Sequence, residues 1–150
     1  MGAIYDALVS FFREDEWAFN EVEGKPILAL TFAGKNGTWT CYARAEEEKE
    51  MFLFYSYCPV KTPENKRPIL ADFLTRANYG LLIGNFEMDY NDGEVRFKTS
   101  IDVEGDKLSP ALIKRLVYNN LAVTDKYLPG IMAVIYGGAS PTEAIAQVEN

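Results

Sequence analysis

Histidine is absent from all 150 residues. That excludes Ser-His-Asp and Cys-His catalysis, imidazole ligation of a metal and a histidine pH switch. Cysteine is almost absent. Cys41 and Cys58 form no CxxC and cannot by themselves build a four-ligand zinc site, so both are expected to be packing residues. A redox pair would require their strands to be neighbours. Neither GxxxxGK[ST] nor GxGxxG occurs, so the glycine loops that cradle nucleotide phosphates are missing. Long apolar runs are missing too. The stretch Ile131 to Tyr136 falls far short of the roughly 20 residues a membrane span needs. Met1 to Phe12 lacks the basic, apolar and small-residue regions of a secretory leader. Cations are outnumbered, 15 against 22 carboxylates, for a net charge of -7. A phosphate backbone or an anionic membrane would be repelled. These absences lead us to expect a cytoplasmic, non-enzymatic protein with no cofactor, no metal, no nucleic acid and no membrane partner.

What is present is ample core material. Nine Tyr, nine Phe and two Trp can close one domain of this length without disulfides. Apolar residues at Ile4, Tyr5, Leu8, Val9, Phe11 and Phe12 have helical spacing over residues 3–14. From Pro26 to Ala33 the chain reads as a buried strand. Gly34 to Gly37 reads as a turn, and Trp39, Cys41, Ala43 and Ala45 alternate along a second strand. Centring the turn on Asn36-Gly37 sets Phe32 against Cys41, Leu30 against Ala43 and Leu28 against Ala45. After the acidic turn Glu46 to Glu50, Met51 to Tyr57 is almost wholly apolar or aromatic. Such a strand is expected to be covered on both faces, or to show one face to a partner.

Thr62-Pro63 predicts a capped start for a second helix, with Ile69, Leu70, Phe73, Leu74 and Ala77 facing inward and Gly80 ending it. Asp92-Gly93 predicts a two-residue hairpin turn pairing Tyr90 with Val95, Met88 with Phe97 and Phe86 with Thr99. Ser109-Pro110 opens another helix, with Leu112, Ile113, Leu116, Val117, Ala122, Val123 and Tyr127 inward and Pro129-Gly130 ending or kinking it. Ser140-Pro141-Thr142-Glu143 is a capping-box start for a last helix. The order is helix, strands, helix, two strands, helices. That is an α+β fold with an antiparallel sheet of five to six strands flanked by helices, in one domain spanning 1–150.

Four patterns are candidates for chemistry. Asp89 to Glu94 has a faint calcium-loop look, but its glycine falls one place early and the closing acid is missing, so a hairpin turn is the better reading. Glu87 and Asp89 point to one side of a strand and could do acid/base work only if shielded from water. Gly137 to Ser140 could hold an anion on free N–H groups or serve as a joint between helices. The aromatic set Trp39, Tyr42, Phe52, Phe54, Tyr55 and Tyr57 could form a partner or dimer interface, with core packing as the competing reading.

The segment Ala77-Asn78-Tyr79-Gly80 through Gly84-Asn85-Phe86-Glu87-Met88-Asp89, then Asp92-Gly93-Glu94-Val95-Arg96-Phe97, resembles the YbjN family, labelled bacterial sensory transduction regulators. The resemblance is most specific over residues 69–104. It implies a fold similar to type III secretion chaperones, which are small, acidic and commonly dimeric. It also implies a protein-binding or regulatory role, with no catalytic residues to carry over. Residues from about 130 to 150 would then be a helical extension. The alternative is a small-ligand sensor with a pocket between the sheet and the helix after Ser109.

Overall fold

A computed structural model describes residues 2–150. Its centre is a six-stranded antiparallel sheet in the order β1-β2-β3-β4-β6-β5. The strands are β1 (Phe19–Glu21), β2 (Ile27–Ala33), β3 (Thr38–Glu46), β4 (Met51–Tyr57), β5 (Asn85–Met88) and β6 (Val95–Asp102). Helices α1 (Ala3–Glu14), α2 (Arg67–Asn78) and α3 (Pro110–Ile135) pack on one face, and α4 (Pro141–Glu149) packs on α2 and α3. Two apolar clusters fill the space between. One joins α1 and the first half of α3 to β2, β3 and β4; the other joins α2, α4 and the end of α3 to β5 and β6.

The helix over residues 3–14 forms as its spacing predicts, burying Ile4, Tyr5, Leu8, Phe11 and Phe12. Its Gly2 N-cap offers no side chain. The Glu47 carboxylate, from the turn between β3 and β4, accepts hydrogen bonds from Ile4 N (3.1 Å) and Tyr5 N (2.8 Å) instead. An acid at this end also suits the helix dipole.

Both hairpins keep their expected faces and differ in register by two residues. In the first, Leu28 faces Ala43, Leu30 faces Cys41 and Phe32 faces Trp39, so the loop is Lys35-Asn36 rather than Asn36-Gly37. The cause lies outside the hairpin. The Asp125 carboxylate of α3 accepts hydrogen bonds from Lys35 N (2.9 Å) and Asn36 N (2.7 Å) and centres the turn there. Gly34 and Gly37 serve the close approach of α3, since a Cβ on either would stand 2.6 Å from Asp125 Oδ1 or Leu128 Cδ2 respectively. In the second hairpin Met88 faces Val95 and Phe86 faces Phe97. Asp92-Gly93 is part of a four-residue loop between Asp89 and Glu94, closed by Asp89 N donating to Glu94 O at 2.9 Å. Tyr90 therefore lies in the loop, exposed, and not opposite Val95. Gly93, at φ +80°, passes against the Thr62 backbone, where no Cβ fits.

Helix α2 starts later than Thr62-Pro63 predicts. A 3-10 turn at Glu64–Lys66 intervenes, and the α-helix begins at Arg67 without a side-chain cap. Thr62 is buried, and its N–H donates to Gly93 O (2.8 Å), so it anchors the loop before β6 rather than capping a helix. Gly80, at φ +93°, ends α2 in the expected left-handed conformation.

Helix α3 is capped by Ser109, whose hydroxyl accepts from Leu112 N (3.2 Å). Of the two expected effects of Pro129-Gly130, an end or a kink, the helix does not end there and runs on to Ile135. Pro129 has no N–H for the carbonyl of Asp125, four residues back. Asn36 Nδ2 fills that vacancy, donating to Asp125 O at 2.9 Å. Gly130 meets Phe73, and an added Cβ would be 2.5 Å from Cζ of that ring. Ala122, expected inside, is exposed; Asn120, Leu121 and Thr124 are buried in addition to the expected positions. The last helix has the full capping box, Glu143 N donating to Ser140 Oγ (3.2 Å) and Ser140 N to Glu143 Oε1 (3.0 Å).

Candidate functional site: the open face of the sheet

Strand alternation divides the aromatic set. Trp39, Phe52 and Phe54 point toward the helices and are buried in the core. Tyr42, Tyr55 and Tyr57 point to the other face, which no helix covers; Tyr42 and Tyr57 are half-buried there, and Tyr55 is buried beneath its neighbours. Pairing brings them together, because Tyr42 is opposite Tyr55 on the adjacent strand and Tyr57 follows two residues on. The rings of Tyr42 and Tyr57 meet edge to face at 5.4 Å, and those of Tyr55 and Tyr57 are 6.1 Å apart. The distinguishing signal in the sequence was the phenolic hydroxyl. In this nearly all-apolar strand, Phe residues take the face under the helices and Tyr residues the face away from them.

Arg96 completes the cluster. Its guanidinium lies 4.4 Å over the Tyr55 ring, and Nη1 donates to the Tyr57 hydroxyl at 3.2 Å. Its Nε donates to Glu87 Oε1 at 2.7 Å, and Lys98 Nζ donates to Glu87 Oε2 at 3.1 Å. Burial would raise the Glu87 pKa, but the hydrogen bonds from Arg96 and Lys98 outweigh it and hold the carboxyl below its ordinary range. Glu87 is thus an orienting acceptor, and Asp89 turns away into its own loop, its Oδ1 accepting from Asn91 N at 2.8 Å. Ile27, Tyr42, Arg44, Tyr55, Tyr57 and Arg96 line a shallow depression of about 250 Å³. Arg44 is paired with Glu46, whereas Arg96 shares the Glu87 carboxylate with Lys98, so the centre is aromatic with one net positive charge at its rim. The arrangement offers an apolar, rigid floor with hydrogen-bonding rims, suited to an extended segment of another chain.

The other candidate chemistries are taken up by local structure. Asp92 Oδ1 accepts from Glu94 N (3.0 Å) and its Oδ2 from Lys61 Nζ (3.1 Å), which makes the Asp89–Glu94 segment a hairpin loop. In the Gly137–Ser140 turn, the N–H groups of Gly137 and Ala139 both donate to Ala133 O, and that of Ser140 donates to Glu143. Burial pushes the Cys41 thiol up to about 11, only partly offset by Ser56 and Trp39, and both cysteines are free thiols. The space between the sheet and α3 is filled rather than hollow. There Asn120 Nδ2 donates to Phe54 O (2.9 Å) and Phe97 O (3.0 Å), and its Oδ1 accepts from Ser56 Oγ (2.6 Å). The larger cleft, about 620 Å³, lies elsewhere, between the α1 N-terminus, Glu47 to Glu50 and Asp106 to Leu108. That is not the sheet–helix location a ligand sensor was expected to use.

A second exposed feature was not singled out from sequence, although it lies inside the family-like segment. Between α2 and β5, Tyr79 is 91% exposed and Leu82 98% exposed, with Ile83 beside them. Just before it, Asn78 reaches across to the outer edge of β5. Its Oδ1 accepts from Phe86 N (2.7 Å) and its Nδ2 donates to Phe86 O (3.1 Å), occupying both backbone groups as a neighbouring strand would.

The family profile of YbjN, "Putative bacterial sensory transduction regulator", matches residues 5–132. The chain belongs to the YbjN family. Among curated proteins no sequence matches it. A solved structure titled YbjN, "a putative transcription regulator from E. coli", shares the fold with a TM-score of 0.61 at 14% identity, over 89% of each chain. A chain of the complex of the Yersinia pestis type III secretion chaperone SycH with a fragment of YscM2 matches with a TM-score of 0.52 at 13% identity, over 79% of this chain and 93% of that one. A chain of the HopA1–SchA chaperone–effector complex matches at 0.51 and 20% identity, over 79% and 88%. This YbjN-family chain therefore has the secretion-chaperone-like α+β fold. Its α4, beyond the family match, adds Ala144 and Val148 to the cluster formed by α2 and α3. Among the described residues, no helix is long and apolar enough to cross a membrane.

Proposed function

We propose that this YbjN-family chain is a non-enzymatic binding module that holds or regulates another protein in the cytoplasm. The observation that carries the reading is the half-buried pair Tyr42 and Tyr57, set around the buried Tyr55 and braced by Arg96, on the one sheet face that no helix packs against. The chaperone–effector and chaperone–fragment complexes among the fold neighbours support a protein as the occupant. That support is fold analogy alone. The catalytic side chains missing from the sequence, and the local use of Glu87, Asp89 and Asp92, support a role without chemistry.

The bare Tyr79–Ile83 loop is the second contact in this proposal. A chain of net charge -7 meets a copy of itself most easily where carboxylates are lacking, and residues 77–86 contain none. We assign this loop to a homodimer contact. The test is a comparison of the parent with Tyr42→Ser/Tyr57→Ser and, separately, with Leu82→Ser/Ile83→Ser. Loss of a co-purifying protein in the first variant alone, and of dimer mass in the second alone, is the expected pattern. A co-purifying protein kept by the first variant, at unchanged melting temperature, would remove the open face from the proposal.

A further inference from the structure

Asn36-Gly37 is the single Asn-Gly pair in the chain, and its asparagine side chain sits against the carbonyl that Pro129 leaves open. We propose that Asn36 is a site of spontaneous deamidation, and that docking of the β2–β3 turn on α3 sets its rate. The chemistry needs only water and base. The Gly37 backbone nitrogen loses its proton and attacks Asn36 Cγ; the Cγ–Nδ2 bond breaks and ammonia leaves. Water then opens the five-membered imide at either carbonyl, giving an aspartyl or isoaspartyl linkage. Glycine after the asparagine presents no side chain to hinder the attack.

The folded turn opposes that attack at both atoms. Asn36 Nδ2 is held by Asp125 O (2.9 Å) and the Asn36 backbone by Asp125 Oδ1 (2.7 Å), so Cγ cannot swing without undocking. Gly37 is pressed against Leu128, with room for no Cβ. Once formed, the product carries a carboxylate where the fold requires a donor. It would face the Asp125 carbonyl and lie close to the Asp125 carboxylate, an acceptor against acceptors. The turn then cannot redock as before. The modification acts as a one-way release of the β2–β3 hairpin from α3, independent of the binding role proposed for the opposite face of the sheet.

The experiment incubates the full chain at mildly alkaline pH and maps peptides by mass spectrometry, following the gain of about 1 Da at position 36. Four samples are compared at one temperature: the parent, Asp125→Ala and Pro129→Ala, each folded and below its melting temperature, and the parent unfolded in urea. The urea sample should react about tenfold faster or more than the folded parent, as a group protected by local closure does. Both variants should react several-fold faster than the folded parent. Asp125→Ala frees the two turn N–H groups, and Pro129→Ala supplies a helix N–H that competes for the Asp125 carbonyl. Pro129→Ala should melt no lower than the parent, so its faster reaction could not be ascribed to unfolding. Equal rates in the folded and urea samples, or both variants at the parent's rate, would overturn the gating. No mass gain at position 36 even in urea would overturn the site.

Discussion

The side chain of Asn36 donates to the main-chain carbonyl of Asp125, at 2.9 Å, in the gap left by the missing N–H of Pro129. One residue of a hairpin turn thereby repairs a defect in a helix that follows it by 89 positions. The Asp125 carboxylate returns the contact by accepting from the two N–H groups of the turn. Asp125→Ala removes two charge-assisted bonds at an exposed site and should cost about 1–2 kcal/mol, since exposure lets water replace part of the loss. Asn36→Ala should cost less, on the order of 0.5–1 kcal/mol. If the pair acts as one unit, the double variant should lose less than the sum of the singles. Urea denaturation of the three proteins reads all three values.

Asn120 sits where the two core clusters meet, and every polar atom of its carboxamide is engaged. Asn120→Leu would leave Ser56 without its acceptor and strip a donor from two sheet carbonyls. The expected loss is about 2–4 kcal/mol, in the range for breaking a buried network. Adding Ser56→Val should recover part of it, because the orphaned hydroxyl goes as well. A combined variant no more stable than Asn120→Leu alone would refute the network account.

At the other edge, Asn78 stands in for a neighbouring strand at Phe86. Asn78→Ala should destabilise by about 1–2 kcal/mol. It should also raise hydrogen exchange at Phe86 selectively, since its N–H loses its partner. Unchanged exchange there would show that the carboxamide does not protect the edge.

The ion-paired Glu87 gives an acid-side signature. Its folded pKa lies below the ordinary value, so its contribution to stability is complete above the unfolded glutamate pKa, about 4.3. As pH falls through the depressed folded value, that contribution is lost. Stability measured from pH 6 down to about pH 3 should therefore fall less steeply in Glu87→Gln than in the parent. Parallel curves would mean that Arg96 and Lys98 do not hold the carboxylate in solution.

Side-chain periodicity conveys faces more reliably than registers, and the two hairpins explain why. A two-residue slip leaves Leu28, Leu30 and Phe32 on the same face, so alternation cannot detect it. The contacts that settle the turn come from Asp125 in one hairpin and Thr62 in the other, both remote in sequence. The same holds for Pro129, which breaks a helix by local rule yet sits inside one here because its orphaned carbonyl has a partner elsewhere. The short strand β1 carries no period of its own and exists through pairing with Leu28 to Leu30. Of the aromatic set, alternation along β3 already separated Trp39 from Tyr42, and within Met51–Tyr57 the Tyr–Phe distinction marked the side away from the helices. Arg96 joins them through a strand pairing, Tyr57 with Arg96, that no local pattern announces.

The most direct test of the binding role places a photo-crosslinking phenylalanine at position 57 on the open face and, as a control, at exposed position 126 on α3, with irradiation in the native cell. The account predicts a discrete crosslinked protein from position 57, absent from position 126 and lost when Tyr42→Ser is added. A crosslinking pattern that is the same from both positions, or one that survives Tyr42→Ser unchanged, would contradict it.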